Sequence, residues 1–225
     1  MNRPENHESV SGGNTAQGAD NGRGDHIAAP LGSITGGQLG FARGAANLTL
    51  RVDSSMGDLY HARFEGPEPR VRAEGGAVTI DYPRTFHPFD WRTRAAEVML
   101  NAQVLWEIGV RGGASRLDAD LSRLCLASFD VSGGASRVEL TLPKPSGTVH
   151  FRIAGGASNV AIRRPEGVAA QVRVGGGATK LSLDEQRFGA IGGDVRLESP
   201  DYATAVHRYE IEVQGGANNL TVGTL

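Results

Sequence analysis

The sequence predicts an all-β protein built as a β-solenoid, a stack of coils that each contain two short strands. The chain has 225 residues with 32 glycines and only 6% aromatic residues, so its apolar residues are mainly the aliphatic kinds typical of strands. A phrase close to Gly-Gly-Ala-Ser occurs five times, and successive regular copies lie 21 or 22 residues apart. Such a period is typical of a solenoid. The predicted corners are Gly112, Gly113, Gly133, Gly134, Gly155, Gly156, Gly176, Gly177, Gly215 and Gly216.

Apolar and polar residues alternate on both sides of each glycine pair. Phe129 and Val131 precede one pair, and Val138 and Leu140 follow it. A period of two places these side chains on one face of a strand, so each unit is predicted to be two strands that bury one face. The same phase holds for Ile108, Val110, Phe151, Ile153, Val172, Val174, Ile211 and Val213 before the pairs, and for Leu117, Ala119, Leu142, Val160, Ile162, Leu181, Leu183, Leu220 and Val222 after them.

The glycine pairs predict tight corners, because glycine permits positive φ and a close approach of neighbouring backbones. Two arrangements satisfy the pattern. In an antiparallel meander or β-sandwich, equivalent corners lie about 10 Å apart, whereas in stacked coils they lie about 4.8 Å apart and touch. Contact explains why five corners share nearly one sequence, so we favour the solenoid.

The chain divides into a tail and one domain. Residues 1–28 are polar and are predicted to be disordered, whereas 29–225 form a single solenoid domain. Within it, 29–95 contain degenerate coils and 96–225 contain the regular repeats.

Some segments depart from the regular repeat. The degenerate coils have corners predicted after Arg43 and Glu74, and "AAEVMLNAQVLWEIGV" is predicted as strand, turn, strand. An insertion at 184–210 lengthens one unit, and we expect a solvated side flap there, with partner binding as the alternative. Its Gly192 and Gly193 are a possible further corner.

The segment "GGASRLDADLSRLCLASFDVSGGASRVELTLPKPSGTVHFRIAGGASNVAIRRPEGV" resembles bacterial toast-rack proteins. These include the C-terminal domains of LiaF-type cell-envelope stress proteins and related repeat proteins of unknown function. The resemblance covers roughly residue 30 to the end, and it implies a β-rich, non-catalytic domain in proteins that modulate a sensor kinase. We therefore expect a non-enzymatic scaffold or protein-interaction module, in an envelope-stress or regulatory pathway.

The composition of the chain argues against nucleic acid and membranes as partners. The net charge is −2, which gives no electrostatic footprint for nucleic acid. No stretch is long and apolar enough to predict direct membrane insertion or a signal peptide, so we expect a cytoplasmic protein. Cys125 is the single cysteine and is predicted to be inert core filler.

A cluster of aromatic and arginine residues interrupts one coil at 81–94. Such a mixture suits a protein partner, although it is also compatible with a loop that packs on the solenoid. The candidate partner-binding residues are Tyr82, Arg84, Phe86, Phe89, Trp91, Arg92 and Arg94.

No arrangement typical of catalysis stands out, and we expect no cofactor or metal. Cys125 and His150 lie one coil apart, which we interpret as coincidence. Asp118, Asp120 and Glu139 are expected to share a solvated face. A polysaccharide-acting β-helix enzyme is the less favoured alternative. Self-association into filaments is the alternative favoured over an enzyme, because the truncated final coil "GGANNLTVGTL" is expected to leave an open end.

Overall fold

The computed structural model describes residues 26–82 and 95–225, which form strands and turns without a helix. These residues contain nineteen strands in a ten-stranded sheet, sheet A, and a nine-stranded sheet, sheet B. The strands are β1 (His26–Pro30), β2 (Gly36–Phe41), β3 (Ala45–Asp53), β4 (Asp58–Glu65), β5 (Arg70–Glu74), β6 (Ala77–Asp81), β7 (Ala95–Asn101), β8 (Leu105–Arg111), β9 (Ala114–Asp120), β10 (Cys125–Ser132), β11 (Ala135–Thr141), β12 (Thr148–Ile153), β13 (Ala157–Arg164), β14 (Ala169–Val174), β15 (Ala178–Leu183), β16 (Gln186–Ile191), β17 (Val195–Glu198), β18 (Arg208–Val213) and β19 (Ala217–Thr224).

Each regular coil runs from a strand of sheet B through a glycine corner into a strand of sheet A. Strand β10 pairs in parallel with β8 and β12, while β11 pairs in parallel with β9 and β13. A meander requires antiparallel neighbours, so the solenoid prediction is confirmed. The segment "AAEVMLNAQVLWEIGV" is strand β7, a turn and strand β8, as predicted.

The order of the coils in the stack differs from their order in the chain. In sheet A the order is β1-β4-β7-β3-β9-β11-β13-β19-β15-β16, and in sheet B it is β17-β14-β18-β12-β10-β8-β2-β6-β5. The coil of β18 and β19 therefore lies between the coil of β12 and β13 and the coil of β14 and β15. The expectation that this last coil leaves an open end is wrong.

Antiparallel strands close both ends of the stack. Strands β4 and β1 extend sheet A beyond β7, and β5 extends sheet B beyond β6. At the other end, β16 pairs with β15 and β17 pairs with β14.

These end strands correct three sequence-based assignments. The insertion 184–210 is not a side flap, since its β16 and β17 continue the two sheets and Gly192 and Gly193 form the corner between them. Gly75 and Gly76 form the turn of the β5–β6 hairpin within sheet B, not a corner between sheets. Strand β1 begins at His26, inside the segment predicted to be a tail.

The core lies between the two sheets and follows the predicted phase. All the inward-facing residues named for the regular coils are at most 2% exposed. Phe129 and Phe151 occupy equivalent positions in adjacent coils and stack with their ring centroids 5.2 Å apart. Like residues thus pack on like residues along the stack, and each coil buries apolar surface that its neighbours leave exposed.

Successive corners are hydrogen-bonded to one another through their backbones. The Ala135 amide donates to the Gly156 carbonyl at 3.0 Å, and the Gly155 amide donates to the Gly133 carbonyl at 2.9 Å. A Cβ added at Gly155 would lie 2.6 Å from the carbonyl of Gly133, which real contacts do not allow. The corners touch as predicted, and this contact excludes side chains from them.

A left-handed residue follows four of the five repeated corners and shifts the alternation of the strand that begins there. Arg137, Asn159, Lys180 and Asn219 have φ between 52° and 57°. In β11 the buried Ala135 is therefore followed by two exposed residues before Val138 is buried. This local bulge turns the next apolar residues back toward the core.

A buried ion pair closes the stack across strand β19. The Arg164 guanidinium, at the end of β13, donates to Asp184 Oδ1 at 2.8 Å and Oδ2 at 2.6 Å. Its Nε also donates to the Val168 carbonyl at 2.7 Å, and its side chain is only 2% exposed. Because β19 lies between β13 and β15, this pair spans the width of one strand.

We expect Gly155→Ala to lower the free energy of unfolding by about 1–3 kcal/mol, because the new methyl group overpacks a rigid backbone contact. Gly109→Ala is the matched control. Gly109 lies in a strand, and a Cβ there meets nothing within 4 Å, so this change should be neutral or stabilising by up to about 1 kcal/mol. Urea unfolding followed by circular dichroism measures both. Equal stability of the two variants would contradict the role of the corners.

We expect Asp184→Asn to destabilise the protein by about 3 kcal/mol, because it leaves the buried Arg164 charge without its counter-ion. Asn tolerates the φ of 52° at this position, so the backbone needs no change. Asp194→Asn breaks the exposed Arg173–Asp194 pair and should cost much less. The midpoints of thermal unfolding give the comparison, and similar losses in the two variants would contradict a stabilising role of the buried Arg164–Asp184 ion pair.

Candidate interaction groove

The corners leave a shallow groove along one side of the stack, because small residues line it at each corner. Its main part has a volume of about 650 Å³, and a second part of about 290 Å³ continues it to the corner at Gly44. We call this surface the corner groove. The main part is lined by Gly134, Ala135, Ser136, Gly156, Ala157, Ser158, Gly176, Gly177, Ala178, Thr179, Ala190, Ile191, Gly192, Gly216, Ala217 and Asn218.

Small polar side chains from successive coils form one margin of the corner groove. Thr179 Oγ1 donates to Asn218 Oδ1 at 2.9 Å, and one residue further on Asn219 Nδ2 donates to Asn159 Oδ1 at 3.0 Å. Ser136 and Ser158 occupy the equivalent positions in the next coils. The margin is therefore a ladder of hydroxyl and amide groups.

The charge beside the corner groove is positive. Arg116, Arg137 and Lys180 are exposed, each directly follows a serine or threonine of the polar margin, and none has an ion-pair partner within the described ranges. The residues that line the two parts of the groove include no carboxylate. Arg43 at one end is already paired with Asp81 at 3.0 Å.

Most of the predicted aromatic and arginine cluster falls outside the described residues. This is true of Arg84, Phe86, Phe89, Trp91, Arg92 and Arg94, whose role stays a prediction. Tyr82 is described and is 1% exposed, with its ring edge-to-face against Phe64 at 6.4 Å. The structure thus places the Tyr82 ring in the core, so it does not offer a surface contact there.

The predicted acidic face does form on sheet A. Asp118 pairs in register with Glu139, and Asp120 with Thr141. Arg51 neutralises Asp118 by donating to both carboxylate oxygens at 3.1 and 3.2 Å. Hydrogen bonds from Ser122 lower the pKa of Asp120. Within 26–82 and 95–225, no cluster of His, Cys, Asp and Glu has the geometry of a metal site.

Sheet B carries a row of ion pairs on its outer face. Arg173 donates to Asp194 at 2.7 Å and lowers the pKa of that carboxyl, while Arg152 lies 3.9 Å from Glu212. His150 pairs in register with Ser128 and its Nδ1 lies 3.3 Å from Glu210. His150 is therefore aligned with a serine and a glutamate, not with Cys125.

The prediction that Cys125 fills the core is wrong, because its side chain is exposed. A β-bulge between Leu126 and Ser128 shifts the register of β10 against β8. Leu126 consequently faces inward and Cys125 faces outward, although the spacing from Phe129 suggested the reverse. One residue in a bulge inverts the phase of all residues before it.

Two features of the surface were missed by sequence reasoning. The left-handed residues beside the groove, such as Arg137, could have been found from the interval of three residues between Ala135 and Val138, which breaks a period of two. Gly40 and Gly109 pair on the outer face of sheet B above a depression of about 380 Å³. Their outward phase in two strands was the available signal.

The chain belongs to a known family of β-repeat domains. A family profile described as the N-terminal domain of toast_rack, DUF2154, matches residues 44–163, which is more than half of the chain. The toast-rack resemblance is thereby confirmed. A comparison with curated proteins gives no match.

A solved structure shares the fold at low sequence identity. A candidate cell adhesion protein from Clostridium sporogenes has a TM-score of 0.64 and 15% identity, with 90% of this chain and 99% of that chain covered. A candidate adhesin from Bacteroides fragilis has a TM-score of 0.38 and 8% identity, covering 94% of this chain and 100% of that chain. The first similarity supports the fold, and the second is too weak to carry an argument. The described part of the chain contains no helix that is long and apolar enough to cross a membrane.

We expect Cys125 to react with a thiol-specific reagent in the native protein at a rate near that of the unfolded chain, because its side chain is exposed. Absorbance with a chromogenic disulfide reagent, in buffer and in urea, measures the two rates. A thiol that reacts only after unfolding would contradict the inverted phase of β10.

Proposed function

We propose that this protein is a non-enzymatic protein-interaction module whose corner groove binds an extended, acidic segment of a partner. The observation that carries the proposal is the groove itself, which crosses successive coils without a side chain blocking it. Family membership supports the proposal, because the toast-rack resemblance implies a non-catalytic domain.

The length of the groove suits an extended segment. It reaches from the corner at Gly44 to the turn at Gly192, across the intervening corners of the stack. The corner at Gly44, the five repeated glycine corners and the turn at Gly192 make seven positions. Neighbouring strands lie about 4.8 Å apart, so these seven positions span about 29 Å. About nine residues of extended chain cover that distance.

Charge and hydrogen bonding favour an acidic partner. Arg116, Arg137 and Lys180 stand beside the groove without described counter-ions, and no carboxylate lines it. The hydroxyl and amide ladder formed by Thr179 and Asn218 offers both donors and acceptors to a peptide backbone. Electrostatic attraction then speeds the encounter and selects against basic segments.

The alternatives have less support. A polysaccharide-acting enzyme needs converging acids, but the Asp118 carboxylate is engaged by Arg51. Filament growth from an open final coil loses its basis, since that coil lies inside the stack. A scaffold role in a bacterial envelope-stress or regulatory pathway, and a cytoplasmic location, stay part of this proposal as inferences from the resemblance and the sequence.

The proposal is tested by selecting randomised linear peptides on the purified protein and measuring their binding by fluorescence anisotropy. We expect the selected peptides to be rich in Asp and Glu and to bind more weakly as salt is added. Ser158→Tyr places a large ring in the groove and should weaken binding at least about tenfold, which corresponds to about 1.4 kcal/mol.

Thr221→Tyr is the matched control. Thr221 is exposed on the same sheet but does not line the groove, so its variant should bind like the unmodified protein. Both variants are first compared by urea unfolding to establish that each is folded. Peptides that bind both variants equally, or a selection without acidic enrichment, would overturn the proposed site.

A further inference from the structure

The coil of residues 208–225, here called the final coil, is inserted between two coils that precede it in the chain. Strand β18 pairs in parallel with β12 on one side and β14 on the other. Strand β19 pairs in the same way with β13 and β15. The final coil therefore fills a slot with two hydrogen-bonding edges in each sheet.

The slot binds the final coil through backbone pairing and buried side chains that are the same in every copy of this chain. Ala217 aligns with Ala157 on one side and Ala178 on the other, and the Ala217 amide donates to Gly177 at 3.0 Å. Ile211 and Val222 are buried between the flanking coils. None of these contacts depends on which chain supplies the coil.

The contacts that hold the final coil in place belong to the slot as well. Leu225 donates its amide to the Arg164 carbonyl at 2.9 Å, and the Arg164–Asp184 pair spans β19. The amide of Asp184 donates to the Val222 carbonyl at 2.9 Å. Residues of both flanking coils thus hold β19 between them.

The only covalent link between the final coil and its own stack is the connector 199–207. It leaves β17, which lies on the far side of β14, and it must pass β14 to reach β18. Two strand spacings are about 10 Å, whereas nine residues can extend to about 30 Å. Tyr202 joins the connector to the final coil itself, because its hydroxyl donates to Glu210 at 2.8 Å and its ring lies 4.9 Å from the Arg208 guanidinium.

We propose that the final coil exchanges between two copies of the chain, so that each copy fills the slot of the other in a swapped dimer. The monomer and this dimer share every contact of the slot and differ only in the path of the connector. Exchange of an identical element is a low-cost route to a dimer, and protein concentration sets its extent. The inference does not rest on the proposed groove, because it uses the interior of the stack.

Two designed cysteine pairs distinguish the two states. In a Cys125→Ser background, Ser158→Cys with Asn218→Cys joins the final coil to its neighbour, because these residues are register partners. Ser136→Cys with Ser158→Cys is the matched control, since it joins two coils that are consecutive in the chain. Adjacent strands lie about 4.8 Å apart, which is within the range that a disulfide bridges.

Each variant is unfolded, refolded at increasing protein concentration, oxidised and separated on a denaturing gel without reductant. We expect the first pair to give covalent dimers, and a concentration increase of about tenfold to raise the ratio of dimer to monomer by up to about tenfold. The control pair stays monomeric on the gel even in a swapped dimer. Monomer alone for both pairs at the highest concentration would overturn the proposal.

A second measurement uses the unmodified sequence and so does not depend on the folding of a variant. Two full-length chains with different affinity tags are refolded together at high concentration, or separately and then mixed. Exchange predicts that the first sample contains dimers carrying both tags and that the second acquires them only slowly, because the coil must leave its slot. An absence of doubly tagged dimers after joint refolding would equally overturn the proposal.

Discussion

The fold depends on backbone-to-backbone contact at the glycine corners. Each corner donates an amide to the next at about 3 Å, and an added Cβ at Gly155 would meet backbone atoms at 2.6 Å. This contact fixes the register between coils, because a shift of one residue would bring a larger side chain into the corner. The repeated sequence is therefore a steric requirement, and the buried ladders such as Phe129 on Phe151 follow from it.

The same constraint shapes the surface. A corner that excludes side chains is necessarily lower than the strands beside it, so the corner groove is a by-product of close packing. The left-handed residues that follow, such as Arg137 and Lys180, turn two successive side chains outward at the margin. Polar and basic groups can change at these positions without disturbing the core, which separates the requirements of stability from those of binding.

Much of this architecture is contained in local sequence, but its assembly order is not. The inward phase of residues such as Val138 and Ile162 follows from alternation, and contact between corners follows from the repeated glycine pairs. The insertion of the final coil could not be predicted, because Ala157, Ala178 and Ala217 occupy equivalent corners and any order of such coils satisfies the same pattern. The outward turn of Cys125 depends on a single bulge, which periodicity does not reveal.

The position of the final coil also affects how the protein folds during its synthesis. Synthesis proceeds in one direction, so β12 to β15 are complete before the strands that separate them exist. Until then, those four strands either leave two pairs of edges unsatisfied or pair with each other and must come apart. A nascent chain with unpaired edges at this stage is prone to aggregation, whereas the folded protein pairs those edges with β18 and β19. A chaperone would therefore have its largest effect during that interval.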